Sequence, residues 1–305
     1  MISVDQNSEK QILRLAAQRQ LYATAKIVFG WQVALAGPVA VVGAIFVILH
    51  PALKAYLAAW GILVALCDVF WFAPWQKSLR SSAAKTQELF DCDVLQLSWN
   101  KLKAGPRPDP ELVKEQSLKY KKWAHRMTTL QNWYSVVVDE LPLHIARIIC
   151  QRTNCWWDGK QRRAYAYLIV GAASCVFLIL LMLAMIGGLT VEEFILKVIA
   201  PFSPTLIVGI RHFSEQRDSA NRLDQLKVNC EAIWASALSG KSKTALYAMS
   251  RNLQDEILDN RRKTPPVLDF LFKHIRNDFE IQMNYASEHY VQEAKKVLAG
   301  KKLQS

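Results

Sequence analysis

Apolar residues are concentrated in four blocks of the chain, at 27–49, 55–75, 165–186 and 194–210. Each block is close to the ~20 residues that an α-helix needs to cross ~30 Å of hydrocarbon. A short connection joins the first block to the second, and another joins the third to the fourth. Because such short connections bring consecutive helices back across the membrane, the pattern predicts two transmembrane hairpins.

The polar remainder of the chain has few alternating β-branched runs and carries helical patterns instead. Apolar residues recur at spacings of three and four after the fourth block, which predicts a seam inside a bundle: Leu223, Leu226, Cys230, Ile233 and Ala237. The sequence therefore predicts an all-α membrane protein, with four transmembrane helices in two hairpins. A helical cytosolic lobe is built from the central insert and the C-terminal region.

These patterns divide the chain into five segments. Residues 1–26 are predicted to be a cytosolic N-terminal amphipathic helix that lies along the inner leaflet. The other segments are transmembrane hairpin 1 (27–76), a cytosolic helical insert (77–164), transmembrane hairpin 2 (165–211) and a cytosolic C-terminal helical region (212–305).

The net charge of +12 over 305 residues raises the question of nucleic-acid binding, and the position of the charges argues against it. Nearly all of the Lys and Arg residues lie outside the two hairpin connections. The positive-inside rule then places both termini and the central insert in the cytoplasm. We therefore expect a multi-pass protein of a cell membrane whose basic charge faces lipid headgroups, with no DNA or RNA polymer as a partner.

Two features inside the blocks point to a pore or a subunit interface. Asp68 is an ionisable residue within the second block, where it has no evident partner and is expected to face protein or water. Pro201 and Pro204 are predicted to break the fourth helix near its middle. A broken helix at membrane depth is tolerated against protein or a water-filled cavity.

Motifs of the common enzyme classes are absent from the sequence: there is no H-E-x-x-H, no G-x-S-x-G and no glycine-rich phosphate loop. Asp91 and Asp93 lie two residues apart, so on a helix they point to different faces and do not form a shared metal site. We therefore expect no catalytic residues, no metal and no cofactor.

Arginines near acceptors and aromatic rings are the candidate chemistry of the lobe. Arg pairs with phosphate through two hydrogen bonds, and Trp stacks on bases, so the combination suits a cyclic nucleotide. The candidate ligand-binding residues are Arg147, Arg152, Trp157, Asp158, Arg162, Arg251, Asp255 and Arg261. The alternative is that these arginines pair with neighbouring acids such as Asp158 and Asp255, or contact lipid phosphates.

An ordered set of short segments resembles the SMODS-associating four-transmembrane effector family. The segments are Glu88-Leu-Phe-Asp-Cys-Asp-Val-Leu-Gln-Leu97, Asn132-Trp-Tyr134, Leu141-Pro142, Ala146-Arg147, Cys150-Gln-Arg-Thr-Asn154, Trp157-Asp158, Arg251-Asn-Leu-Gln-Asp255 and Pro265-Pro266. The resemblance extends from residue 10 to about 290.

The resemblance implies an effector of bacterial cyclic-oligonucleotide antiphage signalling at the inner membrane. Its messenger would be made by a partner nucleotidyltransferase, and a homo-oligomer would form a pore or disrupt the bilayer. Two other hypotheses stay open on the residues alone. One is a non-conducting scaffold that recruits a cytosolic partner through its amphipathic helices, and the other is a lipid-modifying enzyme.

Overall fold

The computed structural model describes residues 1–39, 42–43, 50–122 and 127–302. Its helical elements follow one another with no strand among the described residues. In chain order they are α1 (Ile2–Gln6), α2 (Glu9–Ala36), α3 (Lys54–Cys67), α4 (Ala73–Val94), α5 (Lys101–Ala104), α6 (Pro110–Lys121), α7 (Leu143–Ile186), α8 (Val191–Phe194), α9 (Ala200–Leu238), α10 (Lys243–Lys263) and α11 (Asp269–Lys302). The all-α fold class is therefore confirmed.

The N-terminal segment is part of the bundle core, whereas the sequence predicted a helix along the inner leaflet. α2 is one helix from Glu9 to Ala36, and its first half packs between α4 and α6. Leu15, Ala16 and Ala17 are completely buried. The small alanine side chains allow the neighbouring helices to approach closely, so this half of α2 is covered by protein.

The second apolar block forms one continuous helical path with the lobe helix that follows it. α3 leads through a π-helical segment, Asp68–Phe72, directly into α4. Apolar residues such as Ile62, Phe70 and Trp71 are exposed on this path, while Ala83, Ala84 and Phe90 on α4 are buried. The same path therefore changes from an exposed apolar surface to the core of the lobe.

The third block belongs to α7, which is 44 residues long. At 1.5 Å per residue it extends about 66 Å. Its first half is buried in the lobe at positions such as Ile148 and Cys155, and its second half exposes Leu178, Met182 and Ile186. The helix ends at Ile186, where the third block ends, and after Gly187 the chain turns at Gly188 with φ +65°.

The fourth block is not broken at its prolines. The backbone is α-helical from Ala200 onward, and a π-helical segment, Ile195–Ile199, precedes it. Pro201 is the second residue of α9 and Pro204 is the fifth. Ser203 Oγ donates to the carbonyl of Ala200 at 2.8 Å, which satisfies the acceptor that Pro204 leaves free. The side chains of Pro201 and Pro204 themselves lie outside the described residues.

Two helical stretches are long and apolar enough to cross a membrane, Ala58–Val94 and Leu143–Ile186. They correspond to the second and third predicted spans. The first predicted span runs partly through residues 40–41 and 44–49, which lie outside the described residues. The arrangement of four spans in two hairpins therefore stays a prediction.

The lobe has a continuous apolar core to which the long helices α2, α4, α7, α9, α10 and α11 contribute. α7 and α9 form the most extensive helix pair, and α10 packs against α4, α7 and α9. The seam predicted on α9 is buried in this core, as its spacing indicates: Leu223, Leu226, Cys230, Ile233 and Ala237. The core thus joins helices that continue into both predicted hairpins.

Candidate functional site

Arg251 lies at the centre of a buried charge network between α4 and α10. Its Nη2 atom donates to Glu88 Oε1 at 2.7 Å and to Asp255 Oδ1 at 2.9 Å, while Nη1 donates to the carbonyl of Ser98 at 2.9 Å. Glu88 is 1% exposed. Arg251 therefore neutralises a carboxylate that has almost no contact with water.

A second arginine of α10 extends the network. Arg261 Nη1 donates to Asp91 Oδ2 at 2.6 Å, and the hydroxyl of Tyr134 donates to Asp91 Oδ1 at 2.6 Å. Gln254 Nε2 bridges the two acids, with distances of 2.8 Å to Glu88 Oε2 and 3.0 Å to Asp91 Oδ2. The three ion pairs, Arg251 with Glu88 and Asp255 and Arg261 with Asp91, thus form one connected network, which we call the α4–α10 network.

The two arginines of the α4–α10 network hold their protons. Burial lowers the pKa of the Arg251 and Arg261 guanidinium groups, but the adjacent carboxylates raise it more, and the net pKa of each lies above its ordinary value. Burial raises the pKa of the Glu88 carboxyl and Arg251 opposes that rise. Because Arg251 keeps its proton and lies within hydrogen-bond distance, we treat the pair as an ion pair.

Asp93 points away from this network, as its spacing from Asp91 predicts. It accepts hydrogen bonds from Arg14 Nη1 at 2.6 Å and from Lys10 Nζ at 3.2 Å. Desolvation raises the pKa of Asp93, but these two cations lower it more and the net shift is downward. Asp93 therefore ties α4 to α2, while Asp91 ties α4 to α10.

Arg162 and Asp158 form a separate pair on α7, with 3.1 Å between Arg162 Nε and Asp158 Oδ1. Arg162 Nη1 also donates to Gln216 Oε1 and to the carbonyl of Pro265, both at 2.9 Å. These contacts connect α7, α9 and the segment that leads into α11. Their position just before the apolar half of α7 makes them a junction between the lobe and the third predicted span.

The other predicted ligand residues lie elsewhere on α7. Arg152 pairs with Glu231 at 3.0 Å, and its guanidinium lies 4.6 Å from the ring centre of Tyr290. The ring of Trp157 packs edge-on against Phe279, with 5.5 Å between centroids. Neither contact joins the α4–α10 network.

Arg147 differs from the other predicted arginines because it has no carboxylate partner in the described part of the chain. Its Nε donates to the carbonyl of Leu143 at 3.4 Å, and its guanidinium lies 5.3 Å from the ring centre of Tyr247. Its Nη1 atom is buried and has no hydrogen-bond partner among the described residues. Ligand contacts at all eight predicted positions stay predictions.

Asp68 has a partner that the sequence reasoning missed. Gln32 Nε2 donates to Asp68 Oδ1 at 2.5 Å, and Gln76 Nε2 donates to Gln32 Oε1 at 2.8 Å. This short polar chain connects the first apolar block with the π-helical segment of the second. The partner of Asp68 is the neutral amide of Gln32, so looking in the sequence for a residue of opposite charge does not reveal the partner.

Comparisons with known proteins identify the family of this chain. The SMODS-associating 4TM effector domain matches residues 1–290. The chain belongs to this family. It is also similar to a probable CBASS effector molecule of Bacillus cereus (strain VD146), with 22% identity over 227 residues, which cover 72% of this chain and 75% of that protein. No solved structure gave a significant match.

Glu88 and Asp91, the α4 acids of the α4–α10 network, are not among the predicted site residues of this member of the SMODS-associating 4TM effector family, whereas Asp255 is. Glu88 and Asp91 are three residues apart on α4, so they share a helix face. Arg251 and Asp255 are four residues apart on α10 and likewise share a face, and Arg261 follows on the same helix. Two acids one turn apart on α4 and two arginines on α10 are the sequence signal for such a pairing.

His212 lies where the lobe of the 4TM effector meets its apolar helices. Its ring stacks on Phe29 at 4.5 Å and meets Tyr165 edge-on at 5.5 Å. Burial, together with the charges of Arg162 and Arg80, lowers the pKa of His212 to about 4. The imidazole is therefore uncharged at pH 7 and packs against aromatic rings.

The stability of the protein is expected to fall by about 2 kcal/mol between pH 7 and pH 5 through His212 alone. The folded pKa lies below the unfolded value, so the unfolded chain takes up the proton first and is favoured as pH falls from ~6.5 towards ~4. His212→Phe should remove this part of the pH dependence in thermal unfolding of the detergent-solubilised protein. His289 is exposed and provides the control, since His289→Phe should retain the pH dependence of stability. Equal pH profiles of stability for the two variants would contradict the assignment of this dependence to His212.

Proposed function

We propose that this chain is an inner-membrane effector of bacterial antiphage signalling. Its cytosolic lobe senses a cyclic oligonucleotide, and its transmembrane helices then form a pore or disrupt the membrane. The observation that carries the proposal is the continuity of α7, whose first half lies in the lobe core and whose second half exposes apolar side chains. An exposed apolar surface of this extent requires lipid or another subunit.

A rigid helix shared by the lobe and the membrane gives a direct route for coupling. A ligand shifts a conformational equilibrium by its difference in affinity for the two states. A change in the packing of α7 against α9 in the lobe would alter the same two helices in the membrane. In this proposal both hairpins span the bilayer, both termini are cytoplasmic, and the active form is a homo-oligomer in contact with lipids.

Membership of a 4TM effector family supports the membrane part of this proposal, and the Bacillus cereus relative supports the signalling part. The relative carries the name of a CBASS effector, and we propose the corresponding partners for this chain. These are a nucleotidyltransferase that makes the messenger, and the cyclic oligonucleotide itself. We propose no enzymatic activity, because the described polar clusters are ion-pair networks between helices.

Liposomes that contain the full chain are expected to leak an enclosed dye when the matching cyclic di- or trinucleotide is added. The leak rate should rise by at least about fivefold, the lower end of typical coupling between two sites. Absence of leak with every nucleotide, in spite of nucleotide binding, would favour the scaffold hypothesis. Absence of both binding and leak would contradict the signalling proposal as a whole.

Asp68 is our proposed residue of the conducting path, since it bonds to Gln32 between two apolar blocks. Asp68→Leu should reduce the nucleotide-triggered leak while the nucleotide still binds. Val69 is the next residue and is 62% exposed, so Val69→Leu on the lipid-facing side is the matched control and should leak like the wild type. A normal leak from Asp68→Leu would remove Asp68 from the path.

A further inference from the structure

Arg147 is a buried cation whose charge is not compensated by any described carboxylate. It is 5% exposed, and one of its terminal nitrogens has no hydrogen-bond partner in the described part of the chain. Burial lowers the pKa of its guanidinium, and the neighbour that opposes the shift is Tyr247 rather than a carboxylate. A buried charge without a partner is costly, so its presence requires a compensating role.

The surroundings of Arg147 are also basic. The pKa of His144 is lowered by burial and by the charges of Lys243 and Arg147. Lys243 is exposed and begins α10, so it lies at the rim of the cluster. We call His144, Arg147, Lys243 and Tyr247 the α7 N-terminal cluster.

Two helices begin at this cluster and add partial positive charge. α7 begins after Pro142, which has no side-chain acceptor to cap the free N–H groups of the first turn. The Arg147 side chain folds back towards that turn, because its Nε bonds the carbonyl of Leu143. The start of α10 brings a second helix N-terminus close to the same cluster, where negative charge is favoured.

The acids that come just before α7 in the chain have other partners. Asp139 accepts hydrogen bonds from the backbone N–H and the hydroxyl of Ser3. Glu140 pairs with Lys295 on α11. The α7 N-terminal cluster therefore keeps its excess of positive charge.

We propose that the α7 N-terminal cluster binds a phosphate of the cyclic oligonucleotide, with Arg147 as the principal donor. This inference rests on the proposed function and assigns its ligand site. The aromatic ring of Tyr247 is held by a hydrogen bond from the backbone N–H of Ser98 to its hydroxyl, at 2.8 Å. It gives the guanidinium a fixed flat support and keeps it oriented for an incoming anion.

The position of the cluster favours a soluble phosphate over a lipid phosphate as the ligand. Arg147 precedes Tyr165, where the apolar half of α7 begins, by ~18 residues, or about 27 Å along the helix. A headgroup at the membrane surface does not reach that far, whereas a soluble nucleotide does. Since Arg147 is nearly covered, binding requires a shift of the α7 first turn against α10, and α7 carries that shift towards the membrane.

The test is nucleotide binding by detergent-solubilised full chain, with cyclic dinucleotides, cyclic trinucleotides and inorganic pyrophosphate as probes. Arg147→Met should weaken binding of the active probe by about 10- to 100-fold, the value of one or two charge-assisted hydrogen bonds. It should leave the melting temperature of the ligand-free protein unchanged or higher, because it removes an uncompensated charge. If Arg147 only stabilised the fold, Arg147→Met would lower the melting temperature.

Arg163→Met is the matched control on the same helix, since Arg163 is paired with Asp224 on α9 and is not a predicted ligand residue. It should change the melting temperature little, because the pair is partly exposed, and it should keep the affinity. Equal affinity of wild type and Arg147→Met for a bound nucleotide would overturn the site and leave the proposed function standing. If no nucleotide binds but pyrophosphate binds through Arg147, the cluster is an anion site and the signalling proposal fails. If none of the probes binds, both the anion site and the signalling proposal are overturned.

A second arm distinguishes lipid from soluble phosphate. The same measurements in bilayer discs with and without phosphatidylglycerol should give the same effect of Arg147→Met. A loss of phosphatidylglycerol binding in the variant, with nucleotide affinity unchanged, would assign the cluster to a headgroup and overturn the proposal.

Discussion

Arg251→Met is expected to lower the free energy of unfolding by about 3–5 kcal/mol. The substitution leaves Glu88 and Asp255 as carboxylates without their cation in the interior of the lobe, where they cannot recover water. For a chain of this size, such a loss corresponds to a fall in melting temperature on the order of 10 °C. Thermal unfolding followed by tryptophan fluorescence measures it.

Two further variants separate the loss of the ion pair from the loss of a long side chain. Arg262→Met is the control, because Arg262 lies on the same helix and bonds one backbone carbonyl, that of Lys103, in an exposed position. Its effect should stay within about 0.5 kcal/mol. The double variant Glu88→Gln with Arg251→Met should be more stable than Arg251→Met alone, since the stranded charge is removed. Equal stability of the two would show that Glu88 does not need Arg251.

Gly159→Leu is expected to separate α7 from α9 and to destabilise the lobe by about 3 kcal/mol. A Cβ atom at Gly159 would lie 3.3 Å from Leu223 Cβ and 3.8 Å from the carbonyl oxygen of Ala220, so even one carbon fits tightly. A leucine adds three more carbons where the two backbones are closest. Gly159→Ala should therefore be tolerated far better than Gly159→Leu.

The same helix offers a control in its apolar half. An added Cβ at Gly171 would meet nothing within 4 Å among the described residues. Gly171→Leu should leave the melting temperature unchanged or raise it slightly, because leucine favours a helix by up to about 1 kcal/mol over glycine. Similar melting temperatures for the two leucine variants would contradict the close contact of α7 with α9.

Several features of the fold could be predicted from the sequence because their causes are local. The spacing of Leu223, Leu226 and Cys230 predicts a buried helix face, and that face lies in the core. The spacing of Asp91 and Asp93 predicts opposite directions on a helix, and the two acids contact different neighbours. The ordered short segments indicate the family to which the chain belongs, because they are properties of the sequence itself.

Other features depend on which helices pack together, and the sequence patterns do not contain that information. Leu15 and Ala16 are buried because α4 and α6 pack on either side of α2. The sequence of α2 shows only a basic, amphipathic helix, and this pattern alone predicts a helix at the membrane surface. The bond between Gln32 and Asp68 joins two predicted spans, and the residue types alone do not reveal it.

The arginines show most clearly where sequence reasoning ends. The residue type and its aromatic neighbours predicted one class of site for Arg147, Arg152 and Arg251 alike. The sequence by itself determined the helices, the apolar blocks and the excess of basic charge, since hydrophobic periodicity and charge are properties of short stretches. Only the tertiary structure decided that Arg251 meets Glu88 and that Arg147 meets no described carboxylate. The physical reason is that an ion pair forms between side chains far apart in the chain, and helix packing alone brings them within hydrogen-bond distance.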